Sequence, residues 1–270
     1  MDDSGNDCYP LHTACRNGNI EIVKRLLQEG YFVNETNFDL VQPLHEACFN
    51  GHKDCVQLLL ESGAQVNGRN IDGSTPLCEA CSSGMTDCVK LLLQHGANVN
   101  PQLLLSSPLH EAVLRDKVDC ARLLIEAGAN LNHTDCHFGM PLHAAVYKGS
   151  IQCVKLLLNA GCNVNCTKIL NTPLHVAARK QDNDIIYLLL DYGANPRMTN
   201  NRDMTARDMI PSSTSKLKHL LQYWESNPRS LKFLCRNVIR RCMDPHRMND
   251  IEALKLPGIL TNFLSYNYDL

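Results

Sequence analysis

Six Pro-Leu pairs set the organisation of this chain: Pro10-Leu11, Pro43-Leu44, Pro76-Leu77, Pro108-Leu109, Pro141-Leu142 and Pro173-Leu174. Their successive steps are 33, 33, 32, 33 and 32 residues. Thr205, 33 residues after Thr172, opens a degenerate seventh copy. Self-similarity at this period gives a solenoid, in which each copy is one supersecondary unit stacked on its neighbours. A solenoid offers an extended surface and no enclosed cleft. The expectation is a protein that binds and performs no catalysis.

The second copy shows the local logic. Pro43 suits the first turn of a helix, where a missing N–H costs nothing. Leu44, Ala47 and Cys48 fall at i, i+3 and i+4 and form an apolar stripe. Gly51 breaks that helix, and Asp54 to Glu61 restarts it with a wide apolar face. Gly63 stands where a helix end favours positive φ. Ala64 to Ser74 is a polar, hairpin-like finger with an Asp72-Gly73 turn signal. Each unit is therefore helix, turn, helix, finger, and burial of its apolar face depends on the next unit.

The cysteine pattern follows the same register. Of fourteen cysteines, Cys55, Cys88, Cys120 and Cys153 stand 33, 32 and 33 apart, and Ile22 and Ile185 take the same place in other copies. A Cys that exchanges with Ile acts as a small buried hydrophobe, a use that suits a reducing compartment. The cytoplasm, with the nucleus as a second location, is the expected setting. Met1 to Gly5 is polar and acidic, unlike a secretory leader, and no apolar run reaches the roughly 18–20 residues of a membrane span. The net charge of −2 gives no general pull toward nucleic acid or membranes.

Period and tetrads together resemble the ankyrin repeat. The tetrads carry His12, His45, His110, His143 and His175, with Cys78 in the remaining place. The resemblance implies that these imidazoles tie one loop to the next and hold no metal. Cys78-Glu79-Ala80-Cys81 has no second CxxC at zinc-ribbon spacing. His45-Glu46 and His110-Glu111 lack the second His of HExxH. No phosphate-binding or nucleophile-elbow motif occurs, so no cofactor is expected.

The period fades after Asn201. Thr205-Ala206-Arg207-Asp208-Met209 reads as a final capping first helix, Pro211 to Ser215 as a break, and Lys216 to Trp224 as a restarted helix with Leu217, Leu220 and Leu221 on one face. The expected division is residues 1–210 as repeats, 211–227 as capping helix and linker, and 228–270 as a separate module. That module holds seven Lys/Arg against four Asp/Glu. Leu231, Cys235, Val238 and Ile239 lie at i, i+4, i+7 and i+8, a single apolar stripe on a helix. Asp244-Pro245-His246 is a turn, Ile251 to Leu254 a second short helix, and Leu260, Phe263 and Leu264 belong to a third. Some forty residues of this kind cannot build a self-sufficient core. Lys232, Arg236, Arg240 and Arg241 come with few aromatics, so nucleic-acid binding is not expected.

Ser230-Leu231-x-x-x-Cys235-x-x-x-Ile239 resembles the elongin C-binding motif of the SOCS box, and Leu254-Lys255-Leu256-Pro257 resembles its cullin-binding motif. Ankyrin repeats followed by a three-helix SOCS box are the plan of the ankyrin repeat and SOCS box (ASB) family. Asn70 to Leu77 and Asp135 to Gly139 are most similar to the subgroup of members nine, eleven and thirteen. The resemblance implies a non-catalytic substrate receptor of an elongin B/C and cullin-5 type ubiquitin ligase with its RING partner. It implies elongin C contact through Leu231, Cys235, Val238 and Ile239, and cullin contact through Leu254, Leu256, Pro257 and Leu260. Lys255 stands where the family's cullin motif carries a proline. The other reading of the tail is a set of helices that merely caps a non-ligase scaffold.

A target would lie on the surface lined by first helices and fingers. The residue after each tetrad reads Thr13, Glu46, Glu79, Glu111, Ala144 and Val176. Glu46, Glu79 and Glu111 form either a ladder for a basic partner segment or ordinary solvated helix charges. Phe49 and Tyr147 share one first-helix register. Leu103, Leu104, Leu105 and Phe138, with Phe38, Leu40 and Ile169-Leu170, place apolar groups in fingers. Each is a candidate anchor or is tucked under its own loop.

Overall fold

Every proline of the six Pro-Leu pairs stands in the first turn of a helix, where its fixed φ is already helical. The computed structural model describes residues 9–102, 106–135, 137–168, 171–211 and 215–227, with Cys235, Ile239 and Pro257. The chain forms two units. The first, Met1–Ala129 with Asp135–His137, holds α1 (Pro10–Asn17), α2 (Ile20–Gln28), α3 (Pro43–Asn50), α4 (Lys53–Glu61), α5 (Pro76–Ser83), α6 (Thr86–Gln94), α7 (Pro108–Leu114) and α8 (Val118–Glu126). The second, Asn130–Thr134 with Phe138–Leu270, holds α9 (Pro141–Lys148), α10 (Ile151–Asn159), α11 (Pro173–Lys180), α12 (Asn183–Asp191) and α13 (Ser215–Ser226). Among the described residues there is no strand, only isolated bridges, among them Lys168–Asn171 and Thr199–Thr205. The helix, turn, helix, finger unit expected from the sequence is the unit observed.

Within the first unit the odd-numbered helices pack side by side as one layer and the even-numbered helices as another. In the second unit α9 packs on α11 and α10 on α12. Gly51 ends α3 at φ 77°, and a Cβ there would stand 2.4 Å from Met85 Sδ in the next copy. The positive φ is what calls for glycine there, since the Met85 side chain can swing aside.

Stacking buries the cysteine register. Cys55, Cys88, Cys120 and Cys153 are all inaccessible. In the first unit Cys55 lies near Cys15, Cys88 near Cys48 and Cys120 near Cys81, each pair joining one copy to the one before. Burial pushes the Cys88 and Cys120 thiols up to about 11, which leaves them protonated and unreactive at neutral pH. The same register shows what a missing neighbour does. Ile185 is fully buried, whereas Ile22, with no described copy before it, is 38% exposed.

Polar groups are also satisfied within and across copies. The imidazole Nε2–H donates to a carbonyl at the end of its own copy's finger, just before the next copy starts, in His12–Val41 (2.8 Å), His45–Ser74 (3.2 Å), His143–Asn171 (3.0 Å) and His175–Met204 (3.1 Å). Because a carbonyl only accepts, these bonds fix the tautomer. His45 Nδ1 then accepts the Gln42 N–H at 3.2 Å. His110 differs, with Nε2 3.9 Å from the buried Asp135 carboxylate. A second tie escaped the sequence reading. Asn34, Asn67 and Asn165 each donate to a glycine carbonyl of the next copy and accept a backbone N–H beside it.

The seventh copy departs from the expected capping helix. Residues 205–210 form turns, in which the Asp208 carboxylate accepts both the N–H and the hydroxyl of Thr205, at 2.9 and 2.8 Å. Local capture of this kind competes with helix formation, and the copy lacks the proline that starts the others. Ala206 and Ile210 remain buried, as do Leu217 and Leu221 of α13, and all four are core residues of the second unit.

Two outcomes follow for stability. Ile185→Ala should cost about 2–5 kcal/mol, and the same truncation at Ile22 about 1 kcal/mol or less, by chemical denaturation. Burial lowers the His45 pKa from 6.5 to about 4. The folded state therefore binds this proton less readily than the unfolded chain. Its contribution is complete above pH 6.5 and is lost as pH falls toward 4. Between pH 7.5 and 5 the native chain should lose about 2 kcal/mol more than a His45→Gln variant, measured by urea midpoints.

Candidate functional site

The first helices of the first unit carry the three carboxylates, and all three are half-buried. They are not equivalent. Arg16 of α1 grips Glu46 of α3 with two nitrogens, Nε to Oε2 at 3.0 Å and Nη2 to Oε1 at 2.6 Å. Glu79 and Glu111 form no ion pair among the described residues. Burial, opposed by a bond from the Ser74 hydroxyl and reinforced by the charges of Glu111 and Glu46, raises the Glu79 pKa. Sequence reasoning grouped the three and missed Arg16, which stands in α1 at the register held by Phe49 in α3 and Ser82 in α5.

Between α3, α5 and α7 lies a cavity of ≈ 430 Å³. Phe49, Glu79, Ser82, Ser106, Glu111 and Arg115 line it. Phe49 is 50% exposed, so its ring forms an accessible wall. Ser106 Oγ is buried with no hydrogen-bond partner. The fingers of this unit display apolar tips, with Phe38 90% and Ile71 65% exposed at the same repeat position. Leu40 is held at φ 57° where the next finger uses Gly73, a conformation unfavourable for leucine. Leu103, Leu104 and Leu105 lie outside the described residues.

The second unit has a different surface. Phe138 and Tyr147 meet at 5.4 Å between ring centroids. Lys168 Nζ stands 5.7 Å from the Phe138 ring, and Lys180 Nζ the same distance from Tyr147. Lys180 also donates to the Tyr147 carbonyl. The sequence indicated the two aromatics but not the lysines that cover them.

Of the expected adaptor-binding residues, Cys235 and Ile239 lie in helical backbone four residues apart and both are exposed, Ile239 by 43%. Pro257 is exposed too. Leu231, Val238, Leu254, Leu256 and Leu260 lie outside the described residues.

Family models match this architecture along the chain. The ankyrin-repeat model matches three times, over residues 1–70, 66–135 and 131–200, and the SOCS box model matches residues 227–265. Among solved structures, the human ASB11 ankyrin repeat domain is 40% identical, with a TM-score of 0.75 over 82% of this chain and 99% of that one. The chain belongs to the ASB family.

The ankyrin repeat domain of Bcl-3, a member of the IkappaB protein family, is 27% identical with a TM-score of 0.70, over 82% of this chain and all of that one. No curated protein matched the sequence. Ankyrin repeats joined to a SOCS box make an ASB protein a substrate receptor of cullin–RING ubiquitin ligases in general, an adaptor more than a catalyst, and a SOCS box binds elongin B/C and a cullin in general. No helix among the described residues is long and apolar enough to cross a membrane, and none of their His, Cys, Asp and Glu side chains cluster as a metal site.

The raised Glu79 pKa has a sign that can be tested. The folded chain holds this proton more tightly than the unfolded chain, so the ionised form detracts from stability above the ordinary carboxylate range. Glu79→Gln should therefore leave the thermal midpoint unchanged or higher at pH 7.5. The difference should shrink as pH falls and native Glu79 takes up its proton.

Proposed function

We propose that this ASB protein is the substrate-recognition subunit of an elongin B/C and cullin-5 type ubiquitin ligase working in the cytoplasm. The ankyrin repeats hold a target protein, and the SOCS box docks on elongin C through Leu231, Cys235, Val238 and Ile239 and on the cullin through Leu254, Leu256, Pro257 and Leu260. The observation that carries the reading is the SOCS box match at residues 227–265 directly after the repeats. The exposure of Cys235 and Ile239 on helical backbone supports it. A helix that docks in a groove presents its anchors at such spacing. Cys235 supplies a small polarisable side chain where Leu would be bulkier.

The receptor does no chemistry. It raises the local concentration of target lysines near the ubiquitin-loaded enzyme that the scaffold's RING partner recruits. The contact surface for the target comprises Glu79 and Glu111, with Glu46 as their neighbour, Phe49, the Leu103 to Leu105 finger, and the Phe138–Tyr147 pair. Half-buried carboxylates that form no ion pair among the described residues favour a basic segment and steer its approach.

Co-expression with elongin B and C tests the adaptor reading. A Leu231→Ala/Cys235→Glu variant should lose at least about tenfold in elongin recovery, as expected for the loss of buried anchors, with an unchanged thermal midpoint of the repeats. Leu256→Ala/Pro257→Ala should keep elongin and lose cullin-5. Wild-type elongin recovery by the first variant would leave a scaffold whose tail is only a cap.

A further inference from the structure

The repeat symmetry of the first unit contains a worked example of its own ligand. In the α1–α3 step, the residue six places after the helix-starting proline is Arg16, and its guanidinium closes on Glu46, the residue three places after the next proline. In the α3–α5 and α5–α7 steps the corresponding pairs are Phe49 with Glu79 and Ser82 with Glu111. The carboxylates are retained while the internal cation is replaced by an aromatic ring and a small hydroxyl. The cavity of ≈ 430 Å³ is lined by residues of these two steps. An arginine side chain in an aligned position would be bidentate to a carboxylate, as Arg16 is, and would lie against the Phe49 face in a cation–π contact.

We propose that the cavity between α3, α5 and α7 receives a guanidinium or ammonium side chain from a basic segment of the target, held by Glu79 and Glu111 against Phe49. The proposal rests on the receptor reading and narrows it to one specificity determinant. Three further features fit. Ser106 Oγ, buried and without a hydrogen-bond partner, lines the cavity and offers an acceptor. The exposed tips Phe38 and Ile71 belong to the same unit and supply apolar contacts for the residues flanking the cation. The second unit carries Ala144 and Val176 at the carboxylate register and lysines over its aromatics, so the cation-selective chemistry is confined to the first. Arg115 also lines the cavity and sets a limit, since it disfavours a segment that brings two adjacent cations.

The repeat symmetry also supplies the blocking variant. Phe49→Arg/Ser82→Arg copies the Arg16–Glu46 pair into both steps and satisfies the carboxylates from within. Glu79→Gln/Glu111→Gln removes the charge while keeping shape. The probe is a phage-displayed library of random dodecapeptides selected on the immobilised full chain. Selected peptides should carry Arg or Lys at one fixed position beside an apolar residue. Both double variants should bind those peptides at least about tenfold more weakly, the loss expected for a charge-assisted bidentate pair, with thermal midpoints at or above the native value. Peptides without a basic residue, no selection above bare support, or binding by the blocked variant within about twofold of native would overturn the proposal, since twofold is about 0.4 kcal/mol. Elongin B/C recovery is measured on the same preparations. Its loss counts against the ligase reading alone, because the cavity lies wholly in the first unit.

Discussion

No copy in this chain can satisfy its own surface, and that one constraint shapes the rest. An eight-residue first helix and a nine-residue second helix are too short to stand alone in water. Their apolar stripes are completed only by stacking on neighbouring copies. The asparagine amide reaches forward into the next copy, 28 or 29 residues on, as in Asn34 to Gly63, and the imidazole Nε2–H closes its own copy onto the end of the finger, as in His45 to Ser74. Cysteine serves this geometry as a compact apolar side chain where two copies approach, a place that Ile185 fills in the sixth copy. Cys55 against Cys15 and Cys88 against Cys48 fill that seam without a branched carbon. The cost of lacking a neighbour shows at Ile22, which is partly bare at a register that is otherwise sealed.

The same translation from copy to copy shapes the proposed target surface. Side chains on the open edge of the first helices meet their counterparts at a constant offset, so changing one residue type in one copy leaves a carboxylate without the internal ion pair of the first step. Arg16 neutralises Glu46 from within, while Phe49 and Ser82 leave Glu79 and Glu111 with a cavity in front of them. A solenoid thus acquires specificity without altering its backbone. The retained carboxylate is held at some expense to the fold, as the raised Glu79 pKa records.

Much of this was legible in the sequence because it follows from periodicity. The Pro-Leu step placed twelve helices, the fingers and the buried cysteines, and the Leu231-x-x-x-Cys235 spacing with Leu256-Pro257 pointed to the family. What was not legible depends on contacts between copies. Glu46, Glu79 and Glu111 look alike in a linear reading, and only the folded register brings Arg16 to the first of them. The lysines over Phe138 and Tyr147 come from other segments, 30 and 33 residues away in sequence. The asparagine ties were visible as a period at Asn34, Asn67, Asn100, Asn132 and Asn165, yet a polar finger residue gave no reason to suspect a structural bond. At Thr205 the register continued while the proline did not, and local hydrogen bonding to Asp208 prevailed over helix formation.

The incompleteness that drives stacking extends to the last module, where Cys235 stands exposed while the other described cysteines are buried. Site-resolved alkylation by iodoacetamide, read by peptide mass spectrometry with and without saturating elongin B/C, tests this most directly. The account predicts that Cys235 of the free chain reacts while Cys88, Cys120 and Cys153 stay protected, as thiol access dictates, and that elongin B/C slows the Cys235 reaction by about tenfold or more through burial of the anchor. A Cys235 as unreactive as the buried thiols in the free chain, or equally reactive with the adaptor bound, would contradict it.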